Sequence, residues 1–148
     1  MAKFRGGSAF RAKLQSIAQK LSDPSVLRVG FLENSTYPDG TPTALVAAVQ
    51  EFGSPANNIP PRPFFRNMIA SKSPSWGAAT AKLLKANDYN ATTTLGMVGD
   101  GIKGQLQQSI VDTNSPPLAP ATIAAKGNAK PLVDTGHMLN SVDYEVTP

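Results

Sequence analysis

The placement of proline constrains this chain more than any other feature. Nine of its thirteen prolines fall between hydrophobic segments, in Tyr37 to Pro42, Ser54 to Pro63 and Ser115 to Pro120. Proline fixes its own φ, has no amide proton to donate, and pushes its predecessor toward extended geometry. Ile59-Pro60-Pro61-Arg62-Pro63 therefore excludes helix along its length, and the periodic segments on either side become separate elements joined by long irregular connections. Such connections are where a scaffold touches its surroundings.

Between the breaks, apolar spacing defines the elements. Phe10, Leu14, Ile17, Ala18 and Leu21 recur at helical intervals, opposite Arg11, Lys13, Gln15 and Gln19, which predicts an amphipathic helix from Ser8 to Leu21. Leu27, Val29 and Phe31 alternate within a strand from Val26 to Glu33, with Gly30 on the other face at a bulge or close approach. Thr41 as N-cap, Pro42 in the first turn and Gly53 as terminator bracket a helix whose stripe is Leu45, Val46, Val49 and Phe52.

Phe64, Phe65, Met68 and Ile69 share a helical face, and Ser73-Pro74 predicts the start of a further helix carrying Trp76, Ala79, Leu83 and Leu84. Leu95, Val98, Ile102, Leu106 and Ile110 predict the longest helix, ending near Asp112. A helical turn at Ala121 to Ala125, a short helix from Thr135 to Val142 and a strand from Tyr144 to Val146 follow. The expected class is α+β, a small, mostly antiparallel sheet packed by several helices and linked by long proline-rich loops. With 148 residues, the expectation is one domain over 8–148 behind a basic flexible arm over 1–7.

Several kinds of chemistry lack their residues. No cysteine is present, which excludes disulfides, thiol nucleophiles and thiolate metal sites. His137 is the one histidine, so neither a multi-imidazole metal site nor more than one imidazole base is available. The ten carboxylates form no pair at helical spacing, and neither a G-x-S-x-G elbow nor a phosphate-binding P-loop occurs. Gly99-Asp100-Gly101-Ile102-Lys103-Gly104 satisfies G-x-G-x-x-G, yet it falls inside one helical pattern rather than between a strand and a helix. Its glycines, with Gly96, call for close packing against a neighbouring helix or subunit. The expectation is a protein that is not an enzyme and holds no cofactor or metal. The basic N-terminus lacks the apolar run of a secretory signal, and no segment approaches the roughly 20 apolar residues of a membrane span.

Lys3, Arg5, Arg11, Lys13, Lys20 and Arg28 face only Asp23 in the first part of a chain whose net charge is +4. Lys3, Arg5, Arg11 and Lys13 are thus candidates for contact with DNA or an acidic partner, although no aromatic residues interleave for base stacking. A solvated helix face with a loose arm explains them equally well.

Two stretches resemble a known family. Val46-Ala47-Ala48-Val49-Gln50-Glu51-Phe52-Gly53, followed by Ile59-Pro60-Pro61-Arg62-Pro63-Phe64-Phe65-Arg66, is similar to the "N-E-F-G, then I-P-P-R-P-F" signature of tailed-bacteriophage tail-component proteins. Pro117-Leu118-Ala119-Pro120-Ala121-Thr122-Ile123, Lys126-Gly127 and Pro131-Leu132-Val133-Asp134-Thr135-Gly136 resemble the later part of the same group. Gln50 stands where the family often has Asn, and His137 where it commonly has Arg, so an ion pair built on that arginine is not carried over.

The resemblance implies a minor tail protein of the tail-completion (neck) type. Such a protein is a homo-oligomer, by tail symmetry a hexameric ring, that joins the tail to the head connector in the virion and is assembled in the bacterial host cytoplasm. Its partners would be neighbouring neck, connector and tail-tube proteins, with non-specific contact to DNA in the channel and none to a membrane. Interface candidates are Glu51, Phe52, Gly53, Ile59, Pro60, Pro61, Arg62, Pro63, Phe64, Phe65, Asp134, Thr135 and Gly136. A tail terminator capping the tube, a basic nucleic-acid-binding module, and prolines that merely pin a loop over the protein's own core remain open alternatives. So does a simple N-cap role for Asp134-Thr135-Gly136.

Overall fold

In the computed structural model, residues 6–23 and 25–148 are described. The first helix, α1, runs Gly7–Lys20, so Gly7 belongs to the helix rather than to the expected arm; Lys3 and Arg5 lie outside the described residues. Strand β1 (Val26–Phe31) pairs antiparallel with the last element, β2 (Val142–Thr147). Val29 stands opposite Tyr144 and Leu27 opposite Val146, so the predicted alternation puts Leu27, Val29 and Phe31 on one face. The small antiparallel sheet with helices against it is the expected α+β class.

Helix α2 (Thr43–Phe52) follows β1, and the Pro-rich segment then delivers α3 (Phe64–Ala86). Pro74 does not open a new helix. It sits inside α3, whose side chains engage a neighbouring helix on both sides of it, Met68 before and Trp76 after. That shared packing outweighs the roughly 3 kcal/mol cost of an internal proline. As a result α3, with 23 residues, and not α4 (Ala91–Asp112), with 22, is the longest helix. Asn90 caps α4 by accepting from the Thr93 amide at 2.9 Å.

Helix α4 lies between the sheet and α3. Gly99 permits this: a Cβ there would stand 2.6 Å from Tyr144 Cδ2 and 2.7 Å from Leu27 Cδ1. The close approach is thus to the sheet, and nothing lies within 4 Å of a Cβ at Gly96, Gly101 or Gly104. Beyond it, Phe64, Met68, Leu106, Ile110, Leu132, Met138 and Val142 are buried with Ala47 in one apolar cluster. Two short helices, α5 (Pro120–Lys126) and α6 (His137–Asn140), complete the fold. Among the described residues no helix is long and apolar enough to cross a membrane.

Helix α2 differs from expectation in two ways. Thr41 does not cap it. Its amide bonds Asp39 Oδ1 and its carbonyl bonds the Tyr37 amide, closing a Pro38-Asp39-Gly40 turn, and the helix starts at Thr43. The inward face is Thr43, Ala47 and Glu51, whereas Leu45 and Phe52 are 56% and 65% exposed.

Candidate functional site

Both family-like stretches meet in space, and their local chemistry explains their residues. Gly53 ends α2 with φ +76°, where a Cβ would approach Ile59 O and Pro61 N at 2.8 Å each, so only glycine fits the turn. Ser54 and Ile59 then exchange backbone hydrogen bonds of 2.8 and 3.0 Å, and the Arg62 amide donates to Gln50 O at 2.7 Å. These bonds hold the extended Pro60-Pro61 segment against the end of α2.

Prolines leave the start of α3 without a local cap, and Glu51 supplies one from α2. Its carboxylate, in a residue only 5% exposed, accepts from the Phe65 and Arg66 amides at 2.9 and 3.2 Å and from Arg66 Nε at 2.7 Å. A negative charge on free N–H groups at a helix start is doubly favourable, through hydrogen bonding and through the helix dipole. Arg66 closes the clamp by donating to Glu51 O and lying 5.1 Å over the Phe52 ring.

Arg62, an interface candidate from the sequence, is buried. It is 5% exposed, Nε donates to Pro116 O at 3.0 Å, and burial pushes its pKa below the ordinary arginine value. The guanidinium thus ties the first stretch to the proline loop that opens the second. Phe64 is fully buried in the core, and Phe65 packs beside it and against Gly30. Glu51, Arg62 and Phe64 therefore direct their side chains into the chain itself, while Phe52, Pro60 and Pro61 remain on its surface.

The second stretch is built the same way. Pro120 stands at the first position of α5 and Gly127 ends it in the left-handed conformation. Leu132 anchors in the core. Asp134 is not the N-cap of α6: Gly136, at φ +82°, occupies that position with no side-chain cap, and Thr135 Oγ1 accepts weakly from the His137 amide at 3.4 Å. Asp134 and Thr135 are exposed.

The two stretches form the walls of one open groove of about 1030 Å³. Its lining includes Val46, Gln50, Pro60 and Arg62 from the first stretch, Leu118, Thr122 and Asp134 from the second, and Tyr37 and His137. The His137 ring lies tilted against Tyr37, 4.3 Å between centroids, and its Nε2 lies 3.4 Å from Thr43 Oγ1, which accepts from Ser35 Oγ at 2.9 Å. Burial, and then the Asp134 charge, raise the Tyr37 pKa. Thr43 is completely buried, so this hydroxyl is out of reach of a substrate. Gln50 Oε1 is buried in the wall without a hydrogen-bond partner. Among the described residues no three His, Cys, Asp or Glu side chains cluster in a way that could hold a metal ion.

A second surface lies on α1, which buries no residue. Lys13 and Lys20 both reach Asp88, whose pKa they lower, Lys20 by a direct hydrogen bond first and by charge second. Arg11 makes no ion pair among the described residues. Phe10, Leu14 and Leu21 are 67%, 50% and 42% exposed. Asp88 and the outward set of Leu45 escaped sequence reasoning, because neither charge pairing across 68 residues nor the rotation of a helix is written in local spacing.

No family model, curated protein or solved structure matches this chain.

Proposed function

We propose that this chain is a structural subunit of the neck or upper tail of a tailed bacteriophage, forming a ring that completes the tail and joins it to the head connector. The observation that carries the reading is the exposure of apolar sets on two helices, Phe10 and Leu14 on α1, with Leu21 just past its end, and Leu45 and Phe52 on α2. Exposed apolar sets of this kind, each along one helix, mark surfaces made to be covered by another protein. The phage context comes from the two family-like stretches, which form one joined unit through the Arg62 to Pro116 hydrogen bond. A nucleic-acid-binding role is less well supported, since Asp88 neutralises part of the basic helix through Lys13 and Lys20.

The mass of the purified protein by light scattering, with negative-stain imaging of any large species, tests the reading. Rings are the expected outcome. A monomer at high concentration that also fails to complete tails or join them to heads in an assembly extract would sink it.

A further inference from the structure

Helices α1 and α2 both leave apolar side chains exposed, whereas ordinary surface helices bury their apolar stripe. On α1 Ser16 and Ile17 are half-buried and Lys13 and Lys20 reach Asp88, while Phe10 and Leu14 are exposed, as is Leu21 just past the helix end. On α2 the inward set is Thr43, Ala47 and Glu51, and Leu45 and Phe52 face away beside half-buried Val49. Each exposed set has a half-buried inner edge, Ile17 on α1 and Val49 on α2, and with it the two share one ladder: Phe10, Leu14, Ile17 and Leu45, Val49, Phe52 both advance by four and then three residues. That repeat is the seam along which two helices interlock at a shallow crossing angle.

The two seams do not meet within one chain, where Phe10, Leu14, Leu45 and Phe52 all stay exposed. Glu51 holds α2 to the first turn of α3, whereas α1 is tethered to Asp88, just past the other end of α3. A helix of 23 residues separates them by about 33 Å. The flanking charges also match: Arg11 borders the α1 seam without an ion pair among the described residues, and exposed Asp39 stands in the turn leading into α2. Hydrogen bonds from Thr41 favour the ionised Asp39.

We propose that α1 of one copy packs its Phe10, Leu14 and Ile17 stripe onto Leu45, Val49 and Phe52 of α2 in the next copy, parallel to it, with Arg11 near Asp39. The proposal rests on the ring reading above and specifies its contact. Donor and acceptor are different patches of one chain, so the contact is head-to-tail and closes into a ring where the rotation per subunit allows.

Two double variants test it, F10S/L14Q on α1 and L45Q/F52Q on α2, each confined to exposed positions and checked for unchanged circular dichroism. Light scattering should find wild type at the mass of a ring and each variant at monomer mass. An equimolar mixture of the two variants should reach twice the monomer mass and no more, because one intact donor and one intact acceptor remain. If either variant alone still assembles to wild-type mass, or the mixture stays monomeric, the contact is wrong while the ring reading survives. If wild type is itself monomeric under the same conditions, the ring reading falls and the contact with it.

Discussion

Replacing Glu51 by alanine isolates what holds α3 to α2. The substitution removes a nearly buried carboxylate that accepts two main-chain amides at the start of α3 and the Arg66 side chain. Loss of a helix N-cap costs about 0.5 to 2 kcal/mol, and a buried donor left without a partner costs about 1 to 3 kcal/mol. Allowing for water reaching the exposed Arg66 amide, the total comes to about 3 kcal/mol. For a domain near this size each kcal/mol moves the melting temperature by about 2 to 4 °C, so Glu51→Ala should melt roughly 6 to 12 °C below wild type. Glu51→Gln keeps one acceptor oxygen and should lose about half as much. Arg66→Ala breaks an ion pair whose arginine side chain is 58% exposed and should cost no more than about 1 kcal/mol. Thermal unfolding by circular dichroism at one protein concentration gives all three values, the fixed concentration being needed because association would shift the melt. A Glu51→Ala melt within 2 °C of wild type, or an Arg66→Ala loss as large as that of Glu51→Ala, would refute the capping role.

Two neighbouring glycines should respond with opposite sign. Gly99→Ala forces Tyr144 and Leu27 aside, a cost of about 1 to 3 kcal/mol against a helix-propensity gain near 1 kcal/mol, so chemical denaturation should show net destabilisation. Gly101→Ala meets nothing within 4 Å and should stabilise by about 0.8 kcal/mol. Acid should release α1: the Asp88 pKa lies below the ordinary aspartate value because Lys20 and Lys13 favour the ionised form, so the tether is intact above the ordinary value and is lost as pH falls through the lowered one. Amide exchange in residues 7–20 should quicken on acidification, and at neutral pH in Asp88→Asn, relative to α4; equal rates in the variant and wild type would contradict the tether.

Much of the fold was legible because local rules and global packing agree. The alternation of Leu27, Val29 and Phe31, the glycine after Phe52, and the helical turn at Ala121 to Ala125 each follow from backbone chemistry acting over a few residues, and the structure keeps them all, the last within α5. Proline between the periodic segments dictated where most connections lie. Pro74 is the exception, since a packing surface running along α3 outweighed a local break. Spacing alone identified a stripe on α2, yet which face turns inward was decided by Glu51, drawn to the bare start of α3, and by Ala47, small enough to sit against the core. Arg62 went inward for the same kind of reason: a carbonyl from a loop 54 residues away gives its guanidinium a partner that no sequence interval reveals. Periodicity specifies that a helix has an apolar side, whereas the direction in which that side points depends on contacts that exist only once distant segments have met.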